Sequence, residues 1–206
     1  MMEIKKYVLG QLGTNGYLVI KENDLLIIDP AGEPNRLIKE IDRLAIKPKA
    51  ILLTHAHFDH IGAVEPLRKQ YDLPVYLHEN EHEWMENPAL NGSKYFPVKE
   101  VICQPADHCL KPGPMSISTF DFTIIETPGH SPGGVAFVFN QERLIISGDS
   151  LFNRGIGRTD LPLGDYDTLI QTIKEKLFQL PDDYVVYPGH GPETTIGDEK
   201  KLNPFA

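Results

Sequence analysis

The chain has 206 residues, 41% of them apolar and 24% charged, the proportions of an ordinary folded domain, which excludes disordered and fibrous classes. Its formal net charge is -9, from 20 Lys and Arg against 29 Asp and Glu, and this disfavours nucleic acid as a partner because phosphate binding needs clustered cations. Two cysteines are too few for a disulfide framework, and neither a secretory leader nor an apolar run of membrane length is visible. A cytoplasmic protein with no membrane partner is expected.

No composition break marks a linker, so one domain over residues 1–206 is expected. Strands are predicted at 7–9, 17–21 and 25–28, the last two joined by a turn at Glu22-Asn23-Asp24. Pro34 suits the first turn of a helix in which Leu37, Ile41 and Leu44 recur at helical spacing. Residues 50–53 form a short apolar run, as a buried strand does, and lead directly into Thr54-His55. A helix over 63–71 and a strand at 75–77 follow. Residues 87–114, rich in Pro, Gly, Asn and Asp, are expected to make an irregular excursion with Trp84 and Met85 packed beneath it. Strands resume at 116–119, 122–127, 135–139 and 144–147. A helix over 166–180 sets Leu169, Ile173 and Leu180 on one side, and 184–187 is the last strand.

The densest chemical signal is Thr54-His55-Ala56-His57-Phe58-Asp59-His60, three imidazoles and a carboxylate just after an apolar strand. Neutral imidazole nitrogen and carboxylate oxygen are ligands for zinc and similar divalent ions, and iron or manganese also accepts them. Alternate positions 55 and 57 can face one ion while 59 and 60 turn to another. Three later segments repeat one form, a ligand-type residue beside glycine after an apolar strand: Gly129-His130, Gly148-Asp149 and Gly189-His190. Glycine lets backbone pass close to a site.

The pattern His-x-His-x-Asp-His followed by separate His, Asp and His positions resembles the metallo-β-lactamase superfamily, from Asn15-Gly16-Tyr17 to His190. Within it, Gly148-Asp149-Ser150-Leu151-Phe152, Gly157-Arg158-Thr159-Asp160 and Asn203-Pro204-Phe205 look like compact bacterial members of the glyoxalase II group, the hydroxyacylglutathione hydrolases. The resemblance implies an α+β fold, a four-layer αββα sandwich. It also implies two divalent ions, expected to be zinc: His55, His57 and His130 on one, Asp59, His60 and His190 on the other, and Asp149 bridging. Asp29 matches a position that orients the ligand loop through hydrogen bonds. Only 16 residues follow His190, so the C-terminal helical domain of full-length glyoxalase II is not expected.

Two ions about 3.5–4 Å apart can lower the pKa of a shared water toward roughly 7, giving hydroxide at neutral pH. Asp59, as a ligand, would position that hydroxide, and with Asp149 it is the expected catalytic carboxylate. A small-molecule thioester of S-lactoylglutathione type suits the site, because a thiolate departs as an anion. Arg154 and Arg158 could meet a substrate carboxylate, and Tyr95 and Phe96 could line the entrance. A persulfide dioxygenase with a single iron shares the motif set and is the main alternative; a lactonase or a non-catalytic metal binder ranks lower. Gly129-His130-Ser131-Pro132-Gly133 also matches a serine nucleophile elbow, but Pro132 lacks the N–H that the oxyanion hole requires. His78 with His82, and Cys103 with His108 and Cys109, read as groups short of a ligand set. Nothing in the sequence sets the oligomeric state.

Overall fold

The computed structural model describes all 206 residues, which divide into two units: residues 1–110 with 116–120, and 111–115 with 121–206. The first unit is built on a six-stranded sheet of β1 (Met2–Leu9), β2 (Thr14–Lys21), β3 (Asp24–Ile28), β4 (Pro48–Leu52), β5 (Val75–His78) and β6 (His108–Leu110), in that order. The first three strands form an antiparallel meander, and β3 to β6 are parallel. Helices α1 (Pro34–Leu44), α2 (Phe58–Ile61) and α3 (Val64–Tyr71) fall in the crossovers. Parallel strands covered on both faces read as continuous apolar runs, which is why 25–28 and 50–53 are legible; every residue of β3 is buried. Leu37 and Ile41 of α1 and Leu67 of α3 join the core of this unit.

Strand β1 is longer than 7–9 because its outer residues pair with β2 from Met2↔Lys21 onward while remaining partly exposed. As an edge strand it carries Glu3, Lys5 and Lys6, which hide its strand pattern. The hairpin turn after β2 is Glu22-Asn23 alone, with Glu22 at φ 56°, and Asp24 already pairs with Lys21. Within 87–114 the chain is less irregular than expected, since β6 lies inside it. Trp84 and Met85 are buried beneath this segment, with Asn91 Nδ2 donating to the Trp84 carbonyl and Cys103 N to that of Met85.

The second sheet has the order β14-β13-β10-β9-β8-β7, from β7 (Gly113–Ile117), β8 (Phe120–Glu126), β9 (Val135–Phe139), β10 (Leu144–Gly148), β13 (Val185–Pro188) and β14 (Thr194–Thr195). A separate hairpin joins β11 (Leu151–Phe152) to β12 (Gly155–Ile156). Helices α4 (Tyr166–Glu175) and α5 (Ile196–Leu202) belong to this unit, with Leu169, Ile173 and Ile196 in its core. The strand expected at 116–119 is broken at Ser118, φ 54°, whose hydroxyl donates to Asp24. The helix expected to 180 ends at Glu175 and tightens into a 3₁₀ turn at Leu177–Gln179. No helix is long and apolar enough to cross a membrane.

Candidate metal centre

In the first unit β3 and β4 are parallel neighbours, so the residues leaving their ends, Asp29 and Thr54, are adjacent. Asp29 N donates to the Leu52 carbonyl at 3.1 Å. Asp29 is fully buried and left-handed, with φ 47°, a strained state for a residue with a side chain. That turn aims its carboxylate at the loop after β4. Its Oδ1 accepts from Thr54 N at 2.8 Å, and its Oδ2 from Thr54 Oγ1 at 2.6 Å. The same Oδ2 lies 3.0 Å from His60 Nδ1.

These contacts settle two tautomers. An ionised carboxylate only accepts, so His60 carries its proton on Nδ1 and keeps the Nε2 lone pair. Thr54 spends its hydroxyl proton on Asp29, so towards His55 Nδ1, 3.1 Å away, its oxygen accepts. His55 is left in the same form, with its lone pair on Nε2. His57 stands edge-on to His55, ring centroids 4.8 Å apart, and the His55 and His60 centroids are 4.1 Å apart. All three rings are buried. Asp59 and His60 lie on the single turn of α2, where consecutive side chains diverge by about 100°.

In the second unit β10 and β13 are parallel, and their ends deliver Asp149 and His190. Gly189 N donates to the Gly148 carbonyl at 2.8 Å, which ties the two ends together. His130 follows β8 through Gly129, whose φ of 128° is open only to glycine and whose missing side chain makes room for Leu169 of α4. His130 Nδ1 donates to the Arg158 carbonyl at 2.7 Å, which leaves its lone pair on Nε2. Asp149 Oδ2 lies 3.5 Å from His130 Nε2 and 3.4 Å from His190 Nε2. These spacings are long for hydrogen bonds. They match two donors held on one tetrahedral ion at about 2.0–2.1 Å each, which stand roughly 3.4 Å apart. The donor set therefore fits a divalent metal.

The other candidates fall in different settings. Arg158 is engaged by Asp160 through two bonds of 2.6 and 2.8 Å, and that guanidinium holds the Asp160 carboxyl down at about 2. Arg154 is exposed, and its backbone N donates to the buried Glu199 at 2.9 Å. Tyr95 is exposed, while Phe96 packs its ring 5.0 Å from Phe58. Ser131 is fully buried, which removes it as an accessible nucleophile. His82 Nε2 lies 3.1 Å from the Leu77 carbonyl and 3.7 Å from Cys109 Sγ. Cys103 is buried, and burial pushes its thiol up to about 12.

Four contributors escape sequence reasoning. Thr14 Oγ1 donates to Asp59 Oδ2 at 2.6 Å, and buried Glu81 accepts from Ala56 N at 2.6 Å. Glu81 sits in the charged run Glu79-Asn80-Glu81-His82-Glu83, which reads as a solvated face. The Arg158 carbonyl is backbone and has no residue signal. Gly157 is the fourth: a Cβ there would collide with the Asp149 carbonyl and stand 2.9 Å from His130 Nδ1.

The profile of the metallo-beta-lactamase superfamily matches residues 9–190. The chain belongs to the metallo-β-lactamase superfamily. Among its curated relatives, the probable metallo-hydrolase YqgX of Bacillus subtilis is 45% identical over 205 residues, 99% of this chain and 97% of that protein. The hydroxyacylglutathione hydrolase GloC of Haemophilus influenzae is 37% identical over 186 residues, 89% of this chain and 88% of that protein. Of solved structures, BLEG-1 B3 metallo-beta-lactamase superposes with a TM-score of 0.96 at 45% identity, covering 100% of this chain and 99% of that one. TTHA1623, solved in a di-iron-bound form, has a TM-score of 0.88 at 39% identity and covers 98% and 100%. The fold is the α+β sandwich of this superfamily, two sheets flanked by helices. The chain is a metallo-hydrolase of the superfamily, whose members bind divalent metals.

Proposed function

We propose that the protein is a thioester hydrolase of hydroxyacylglutathione type. In this reading His55, His57 and His130 would hold one divalent ion and Asp59, His60 and His190 a second, with Asp149 as a further carboxylate ligand. The observation that supports the thioester reading is the likeness to GloC over 89% of the chain. Zinc is the metal we expect on donor chemistry, since imidazole and carboxylate suit it, and the di-iron form of TTHA1623 keeps iron as the competitor.

When bound, such ions supply Lewis acidity, which lowers the pKa of water toward roughly 7 and stabilises negative charge developing on a carbonyl oxygen. The chain's own residues do the positioning. Asp29 keeps His60 in the tautomer that presents Nε2, and Thr54 does the same for His55. Thr14 occupies one lone pair of Asp59 Oδ2 and so orients that carboxylate. The buried Ser131 takes no part in attack, and in this reading the nucleophile is water. Water adds to the acyl carbon, the carbon–sulfur bond breaks, and the products are a carboxylic acid and a thiol.

The test is hydrolysis of S-lactoylglutathione by protein loaded separately with zinc, iron and manganese, with thiol release and metal content measured together. We expect turnover that disappears on chelation, returns on reloading, and accompanies two ions per chain. One iron per chain, with oxygen consumed alongside glutathione persulfide and no thioester cleavage, would replace this reading with that of a dioxygenase.

A further inference from the structure

Beside Asp59 the first unit has an open cleft with room for about 130 Å³. Its side-chain walls are Leu12, Phe58, Val98 and Val101, with exposed Gln11 and with Asp59 as the one ionisable lining residue. The walls come from three places: the turn between β1 and β2, the start of α2, and the segment after Phe96. Buried Asn91 ties two of them together. Its carbonyl accepts from Phe58 N at 2.9 Å, and its Nδ2 donates to the Val101 carbonyl at 2.9 Å. Thr14, just past the turn, ties the third wall to Asp59 Oδ2. The cleft is thus preformed, and one end of it is a residue of the metal centre.

We infer that this cleft takes the acyl chain of the substrate thioester and selects uncharged aliphatic or aromatic chains longer than lactoyl. The inference rests on the thioester reading above. A glutathione carrier brings two carboxylates and an ammonium group, each of which needs a charged or strongly polar partner when desolvated. No Lys or Arg lines the cleft and its walls are mostly carbon, so the charged groups of the carrier would lose their water there without a partner. An apolar chain has the opposite balance. Leu12 is 43% exposed on its turn, and a bound chain would cover it. Each methylene moved from water onto such a wall strengthens binding by about two- to fourfold.

The test uses the full-length, metal-loaded protein with N-acetylcysteamine thioesters of acetyl, butanoyl, hexanoyl and succinyl groups. The expected result is a kcat/KM that rises about two- to fourfold per methylene from acetyl to hexanoyl. Succinyl should fall about tenfold or more below butanoyl, because its carboxylate is desolvated against carbon with no cation in the cleft to pair it. Leu12→Ser and Val98→Asp should each shrink the hexanoyl-to-acetyl ratio several-fold. Thioester hydrolysis with a flat or falling chain-length profile, or a profile unchanged in Leu12→Ser, overturns the acyl assignment and leaves the thioester reading standing. Cleavage of none of the four while S-lactoylglutathione is hydrolysed overturns the acyl assignment alone, and cleavage of neither overturns both. A readout independent of turnover is the methyl NMR spectrum with hexanamide as probe. Shifts at Leu12, Val98 and Val101 support occupancy, and unmoved methyl signals count against it.

Discussion

Asp29 Oδ2 and His60 Nδ1 lie 3.0 Å apart, both fully buried, and this single bond decides which nitrogen of His60 can reach a metal. Asp29→Ala removes the acceptor that also receives two bonds from Thr54. We expect metal affinity to fall about 10- to 100-fold, as outer hydrogen-bond partners of ligating histidines typically contribute. Competition with a metallochromic chelator measures it. An affinity within twofold of the wild type would show that the His60 tautomer does not depend on Asp29.

Gly157→Ala is expected to be more damaging than any loop substitution has reason to be. Its Cβ would collide with the Asp149 carbonyl and press on the His130 ring. Relieving the collision moves one or both ligands, at a cost of about 1–3 kcal/mol in the folded state. Chemical denaturation should show that loss, together with lowered metal content. A variant with wild-type stability and full metal content would show that the loop shifts freely.

Ser131→Ala should retain at least half of the wild-type activity. The serine is fully buried, its Oγ makes no hydrogen bond, and the following residue is Pro132, which has no N–H to offer an oxyanion. Losing this hydroxyl leaves no partner unsatisfied, so stability should change by less than about 0.5 kcal/mol. A drop in kcat of several orders of magnitude would revive the serine nucleophile.

Acid stability should depend on Asp24. The Ser118 hydroxyl, then Lys49 and Thr119, hold its carboxyl down at about 2, against about 3.9 in an unfolded chain. A folded-state pKa below the unfolded one means stability that is complete above pH ~4 and lost as pH falls from there through the folded value. With the side chain 10% exposed and its ion pair to Lys49 near the surface, the contribution is about 1–2 kcal/mol. Denaturation midpoints for the wild type and Asp24→Asn should differ clearly near neutrality and converge towards pH ~2. Parallel curves across that window would remove Asp24 from acid unfolding.

Much of the site was legible because metal ligation restricts residue type. His55, His57, Asp59 and His60 stand together in sequence because one strand end and one helical turn carry all four. Gly129 and Gly148, with φ of 128° and 52°, mark two of the later candidate ligands because the backbone there adopts conformations open to glycine. The apolar runs behind them are legible for a related reason: parallel strands are buried on both faces, so 25–28 and 50–53 contain nothing but carbon-rich side chains up to the point where the chemistry begins. Thr14 and Glu81 were not legible, since a threonine opening a strand and a glutamate among charged neighbours are ordinary at a surface. Their roles arise from partners 45 and 25 residues away.

The sequence alone determined the kinds of donor atom and the strands that deliver them, because those depend on side-chain chemistry and on local periodicity. Tertiary structure decided which nitrogen of His55, His60 and His130 carries the lone pair, because a tautomer is set by the partner of the opposite nitrogen. Those partners are Asp29, Thr54 and the Arg158 carbonyl. It also decided that a cleft walled by Leu12, Phe58, Val98 and Val101 ends on Asp59, since three segments distant along the chain meet there. Neither the hydrogen-bond partner of a buried ring nor the emptiness of a cleft is a property of any one residue.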